Sequence, residues 1–336
     1  MKKRILRYFK HISLTLLVLL TTAVLFGLYH GAALHYGDDQ KRFNLDKDGP
    51  YVFYENDSTL QVNYVRGNKD DGYYTEQKNY AMTDGIHASC YFPLEDSDFD
   101  FIIQTNITSP KTIYNDNHNI LAISDIESGY KTFRDFLIKN GVIDTKLNWT
   151  FGKGHLVLVG DFVDRGFSTT QVLWFIYKLE QDAERKGGKV HFIIGNHELK
   201  NFQGNHEAAS KKYLAIANIL QKRQTDLYAP ESFLGRWLSS KNAVEMINGH
   251  LFVHGGMHPD IANTSVSLEE INQTIRNNYY KPYFPKPGNT TEELLTSTKT
   301  GICWYRGYFK DDLTQEDVDY VLHKFNAKDV VVGHTI

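Results

Sequence analysis

From Ile120 onward the chain alternates short apolar runs with stretches of helical spacing. Ile120-Leu121-Ala122-Ile123, His155-Leu156-Val157-Leu158-Val159 and Val190-His191-Phe192-Ile193-Ile194 are short and rich in β-branched residues, the signature of buried strands. Leu251-Phe252-Val253 and Val330-Val331-Val332 read the same way. Between them, Phe133, Phe136 and Leu137 predict one helix, and Val172, Leu173, Ile176, Tyr177 and Leu179 a second. Tyr213, Ile216, Ala217 and Leu220 fall at i, i+3, i+4 and i+7, and Val318, Val321, Leu322 and Phe325 form a last apolar face behind a cap at Thr314. The pattern predicts an α/β domain of layered β-sheets flanked by helices. There is no internal repeat, although Gly-Asn-His-Glu occurs at residues 195–198 and again at 204–207. The second copy follows Asn201-Phe202-Gln203 rather than a strand, so it is expected in a loop that enters the helix of Tyr213 and lines the pocket.

Upstream, Tyr51-Val52-Phe53-Tyr54, Leu60-Gln61-Val62-Asn63-Tyr64-Val65 and Phe101-Ile102-Ile103 are β-forming segments separated by Asn, Asp and Gly turns. Residues 50–115 are therefore expected to be a small β-rich appendage behind a polar linker. Further upstream, Lys2, Lys3, Arg4, Arg7 and Lys10 precede residues 12–29, whose only ionisable side chain is Tyr29. Such a run can cross about 30 Å of hydrocarbon as a helix, with its basic flank in the cytoplasm and the rest of the chain outside. The rival is a cleaved signal peptide with a weak small-residue step at Gly31 and Ala33, which would leave a secreted or periplasmic protein. The expected division is residues 1–35 as basic flank and transmembrane anchor or signal, 36–118 as linker and appendage, and 119–336 as catalytic domain.

With 336 residues, 41% of them hydrophobic, the chain is long enough for one large core. A formal net charge of -3 gives no bias toward polyanions, so nucleic acid is not the expected partner. Cys90 and Cys303 are too few for a cysteine-rich zinc module or a disulfide framework.

The chemistry lies just past the C-terminal ends of the predicted strands, where open α/β sheets hold their ligands. The clusters are Ser124-Asp125-Ile126-Glu127, Gly160-Asp161-Phe162-Val163-Asp164-Arg165-Gly166, Gly195-Asn196-His197-Glu198, Val253-His254-Gly255-Gly256 and Gly333-His334-Thr335. Any one of them could be an ordinary strand-to-helix turn. Together they offer carboxylate, amide and imidazole groups on rigid strands, as a metal site needs.

These motifs resemble the calcineurin-like metallophosphoesterases, in particular the branch with serine/threonine phosphoprotein phosphatases and bacterial diadenosine tetraphosphatases. The resemblance runs from about Ile120 to the last residue and implies a two-metal phosphatase that uses metal-bound hydroxide. It makes Asp161 the carboxylate bridging two divalent ions, with Asp125 on the first and Asn196, His254 and His334 on the second. Ions about 3.5–4 Å apart lower the pKa of a shared water and hold phosphoryl oxygens for in-line attack. It further implies that His197 protonates the leaving oxygen while Asp164 holds its ring, and that Arg165 and Arg306 bind phosphate. For His197, Arg165 and Arg306 a purely structural role is the rival. The family pattern Asp-x-His reads Asp125-Ile126-Glu127 here. A ligating Glu127 makes the first site all-oxygen and favours Mn²⁺ or Mg²⁺ over Zn²⁺ or iron; the alternative is that Glu127 turns away.

The expected substrate is a phosphomonoester, either a phosphoprotein or a small phosphorylated compound. A phosphoanhydride such as a dinucleoside polyphosphate is the rival within the enzyme class. A membrane-tethered, non-catalytic phosphate binder is the rival outside it. Specificity is expected in the loops of residues 199–207 and 259–300.

Overall fold

The computed structural model describes residues 2–29, 38, 44–82, 85–285, 290–310 and 313–335. The small-residue step at Gly31 and Ala33 and most of the polar linker lie outside the described residues. The first helix, α1 (Lys2–Tyr29), is exposed along nearly all of Arg4 to Tyr29. It has the length and apolarity that crossing a membrane requires, a test that a signal sequence also passes. Its Thr21 and Thr22 hydroxyls donate to the carbonyls of Leu17 and Val18 (2.8 Å each), so neither needs water.

β1 (Tyr51–Asn56), β2 (Thr59–Asn68) and β3 (Gly72–Ala81) form an antiparallel meander, and β4 (Ile86–Phe92) pairs with β5 (Ser97–Ile103) as a hairpin. The sequence signalled parts of β1, β2 and β5 but not β3, a largely exposed ribbon with five consecutive polar residues at its centre, or β4. These strands share a continuous core with the α/β part. Phe101 stacks on Trp174 (centroids 4.7 Å), and the Trp174 indole donates to the Pro50 carbonyl (2.8 Å). Asp48 and Lys212 form an ion pair (2.5 Å) whose side chains are 2% and 6% exposed, and Tyr51 donates its hydroxyl to Asp48 (2.6 Å). Loss of one member of such a buried pair costs about 3–5 kcal/mol, because the survivor is stranded.

Two sheets form the sandwich that carries the site. In one, β7 (Ile120–Ile123), β8 (His155–Leu158) and β9 (Lys189–Phe192) run parallel, connected through α2 (Tyr130–Lys139) and α3 (Thr169–Arg185). In the other the order is β12-β11-β10-β6, built from β6 (Ile113–Tyr114), β10 (Val244–Ile247), β11 (His250–Val253) and β12 (Asp329–Val331). Along β8, Leu156 and Leu158 face the helix-side core while Val157, with Val159 beyond it, joins Ile193, Ile247 and Phe252 between the sheets. Burial on both faces explains the uninterrupted apolar run. β7 was expected to be equally buried, but it pairs only with β8 and is half-exposed, as an edge strand is. β10 escaped notice because Glu245 interrupts it; that carboxylate is buried against His191 (2.6 Å) and Asn242 (2.9 Å).

The remaining helices are α4 (Asn196–Phe202), α5 (Lys211–Ile219), α6 (Phe233–Ser239), α7 (Leu268–Arg276), α8 (Thr291–Thr296) and α9 (Gln315–Phe325). Thr314 caps α9 by accepting the Asp317 N–H, and Asn326 ends it in the left-handed region (φ 52°). α7 and α8 lie in the stretch that was expected to be loop. Ser267 and Glu270 form a capping box at the start of α7.

Candidate active site

The loops after β7, β8, β9 and β11 and the turn after β12 meet at one end of the sandwich. Their backbones interlock: Asp125 N–H donates to the Gly160 carbonyl (3.0 Å), Glu127 N–H to Asp161 (3.0 Å) and Ser128 N–H to Phe162 (2.9 Å). Asp125, Glu127, Asp161, Asp164, Arg165 and His334 all have positive φ. Such strain in residues other than glycine gathers at functional sites. Gly160 (φ 83°) permits the closest approach, since a Cβ there would lie 2.5 Å from His254 Nδ1 and 2.8 Å from Gly195 Cα.

Asp161, His254 and His334 bring donor atoms within 4.8 Å of one another, and all three residues are buried. His254 donates through Nδ1 to the Val159 carbonyl (2.7 Å). Its Nε2 thereby faces Asp161 Oδ2 and Asn196 Oδ1, each at 3.1 Å. Burial opposes charge on His254, but the Asp161 carboxylate outweighs it and raises the pKa. Burial likewise pushes Asp161 up, and His254 more than reverses that. His334 is the opposite case: burial, then the positive charges of His254 and Arg306, bring it down to about 3. It is therefore neutral, and its Nε2 is buried with no hydrogen-bond partner among the described residues. An orphaned imidazole nitrogen beside a carboxylate, an amide oxygen and an imidazole held by a backbone carbonyl fits a divalent cation with mixed N/O ligands.

Asp125 borders this group, with Oδ2 accepting the His334 N–H (3.0 Å) and the Ser124 hydroxyl. Glu127 is turned to the Arg165 guanidinium, with which it pairs through Oε1. It is not among the clustered donors. The Arg165 side chain is 55% exposed, and its Nη2 lies 3.4 Å from His197 Nε2. His197 Nδ1 meets Asp164 Oδ2 at 2.8 Å, and the His197 N–H donates to Asp161 Oδ1 (2.9 Å). Arg306 donates to the His334 carbonyl (2.7 Å) and to the Thr335 hydroxyl (3.2 Å), so it braces the turn that carries His334.

Glu198, given no role from sequence, ties the site together. Its buried carboxylate accepts the N–H groups of Asp161 (3.0 Å), Phe162 (2.8 Å) and Gly195 (2.8 Å). Burial, and next the Asp161 charge, push its pKa up to about 7. Its place three residues after Gly195, at the N3 position of α4, was the available signal. His191, His250 and His258 lie against Glu245, Asp329 and Asp260 respectively. Cys90 and Cys303 are separate buried thiols. Beside the cluster a cavity of about 290 Å³ is lined by Leu199, Tyr283, Phe284, Leu295 and Trp304, with the Trp304 ring 6.4 Å from that of His334.

The sequence profile described as calcineurin-like phosphoesterase matches residues 118–336, which take in every loop of this site. The chain belongs to the calcineurin-like phosphoesterase family. It is thus a metal-dependent phosphoesterase. This calcineurin-like phosphoesterase is 25% identical over 302 residues to Shewanella-like protein phosphatase 2 of Arabidopsis thaliana, covering 74% of this chain and 72% of the relative. It is also similar to the symmetrical bis(5'-nucleosyl)-tetraphosphatase of Buchnera aphidicola, 29% identical over 126 residues that span 38% of this chain and 35% of the relative. Among solved structures, the cold-active protein-tyrosine phosphatase of a psychrophilic Shewanella species superposes with a TM-score of 0.75 at 29% identity. The match covers 86% of this chain and 84% of that one, so the likeness reaches upstream of the family profile into the β-rich strands.

Proposed function

We propose that this chain is a two-metal phosphatase acting on phosphomonoesters of phosphoproteins, phosphotyrosine included. The observation that carries the reading is the His197–Asp164 pair (2.8 Å) standing beside the Asp161, His254 and His334 cluster. A phosphate binder has no use for a leaving-group acid. Asn196, His254 and His334 would hold one ion and Asp125 and Glu127 the other, with Asp161 between them. Once bound, two such ions, Mn²⁺ before Mg²⁺, iron or Zn²⁺, supply an activated water and positive charge for the phosphoryl oxygens. The exposed Arg165 guanidinium binds phosphate oxygens with its planar fork. His197 Nε2 delivers a proton to the leaving oxygen, while Asp164 fixes the ring tautomer through Nδ1. Arg306 serves by holding the turn of His334. The cavity beside Trp304 is mostly apolar, with a single cation, Lys281, among the described residues of its lining, which suits a peptide side chain better than a polyphosphate tail, and the Shewanella structure is described as a protein-tyrosine phosphatase.

Phosphate release from phosphotyrosine and phosphoserine peptides, and nucleotide release from diadenosine tetraphosphate, with Mn²⁺, Mg²⁺ or Zn²⁺ supplied after chelation, test the reading. Metal-dependent release from the peptides is expected. Preference for the dinucleotide would replace the substrate class, and no release from any of the three would leave a binder.

Glu127 has one oxygen on Arg165, which leaves the other for an ion. Glu127→Ala is expected to lower affinity at one of two sites by on the order of 10-fold in calorimetric metal titration. An unchanged titration with a raised KM would make Glu127 the counter-ion of Arg165 alone.

We further propose that α1 is a single-pass anchor that leaves the catalytic domain outside the cytoplasm. The basic residues Lys2 to Lys10 at one end motivate that orientation. Protease added to cells with a permeabilised outer layer is then expected to digest the domain, whereas full protection rejects the topology.

A further inference from the structure

The second Gly-Asn-His-Glu segment contributes nothing to the Asp161 cluster, yet its histidine reaches the catalytic pair through a single residue. Asn201 lies one helical turn after His197 on α4 and is fully buried. Its Nδ2 donates to Asp164 Oδ1 (2.8 Å) and to the His197 carbonyl (2.9 Å). Both amide hydrogens are thus committed to acceptors, and flipping the amide would set Oδ1 against two oxygens. Oδ1 is left facing His206 Nδ1 at 3.1 Å, so the His206 ring must be the donor there. Burial lowers the His206 pKa, with Asp164 pulling the other way. The same loop accepts the Arg165 N–H at the Ala208 carbonyl (2.9 Å). The turn carrying Asp164 and Arg165 is therefore braced from one side by the repeated motif.

We propose that Asn201 and His206 are positioning residues for leaving-group protonation: His206 fixes Asn201, Asn201 fixes Asp164, and Asp164 fixes the ring of His197. This rests on the reading of His197 as the leaving-group acid. Asp164 has one oxygen for each neighbour. Without Asn201 the carboxylate is free to rotate, and His197 loses its directed acceptor. Substrate contacts through Arg165 do not pass through Asn201, so the loss falls on turnover rather than on binding.

The full chain loaded with Mn²⁺ is compared with Asn201→Leu, His206→Ala, His206→Gln and His197→Ala, on an alkyl phosphomonoester and on 4-nitrophenyl phosphate. Asn201→Leu is expected to lower kcat on the alkyl ester by on the order of 10-fold or more, with little change on the aryl ester and little change in KM. His206→Ala should show a smaller effect of the same kind, and His206→Gln should restore it, since its amide can donate to Asn201 Oδ1. Should Asn201→Leu fail to fold, the two variants at the half-buried His206 decide the matter. Equal losses on both esters, a loss carried by KM, or His206→Ala matching the parent would overturn the proposal. If His197→Ala shows leaving-group dependence while the others do not, only the positioning role falls. If His197→Ala harms both esters equally, the acid assignment falls, and the positioning role with it.

Discussion

Asp161→Asn is expected to abolish paired metal binding and with it phosphatase turnover, a loss beyond the about 10–100-fold that follows removal of a group merely supporting a ligand. The buried Asp161 carboxylate presents Oδ2 to His254 and Oδ1 to the His197 N–H. An amide of the same size removes the charge that offsets two cations. It also sets an NH₂ group either against the His197 N–H or into the space where His254 and His334 converge. The apo fold should survive, because Glu198, raised partly by the Asp161 charge, loses a repulsive neighbour. Calorimetric titration with Mn²⁺ beside a thermal melt separates the two effects. Two equivalents bound as tightly as in the parent would remove Asp161 from the bridging position.

The second large effect is selective. His197→Ala should slow an alkyl phosphate by about 10²–10⁴-fold, the range for general acid catalysis, and an aryl phosphate far less. A phenolate leaves without a proton, whereas an alkoxide does not. His197 is suited to this distinction because Asp164 occupies Nδ1 and leaves Nε2 on the side of the exposed Arg165. Comparing kcat on the two leaving groups is sufficient. Equal losses would reduce His197 to a packing residue.

Much of the α/β layering was legible because each element announces itself locally. The apolar run of β8 and the cap at Thr314 are short-range signals, and so are the polar turns after the strands. What was missed depends on tertiary partners. β10 contains a buried Glu245, tolerable only because Asn242 and His191 receive it, and His191 lies 54 residues away on another strand. α7 lay in a stretch read as loop although its Ser267 and Glu270 cap was readable. Asp161, His254 and His334 cluster on the loops that follow β8, β11 and β12. Side-chain orientations at the site were not readable: the pairing of Glu127 with Arg165, the bond from Arg306 to the His334 carbonyl, and the N–H groups of Asp161 and Phe162 held by Glu198 join loops distant in sequence. Spacing reveals which groups share a strand end and leaves open which way each one faces.

The ion pair between Asp48 and Lys212 joins residues on either side of position 118, where the family profile begins. So does the stack of Phe101 on Trp174. The portion of the chain that matches the family profile is therefore smaller than the portion that closes a core. A genetic crossover at that position would hand the recipient an α3 without its Phe99 and Phe101 partners and a lysine without its counter-ion. A viable exchange between relatives has its seam upstream of Asp48, so the β-rich strands and the catalytic loops are inherited as one block.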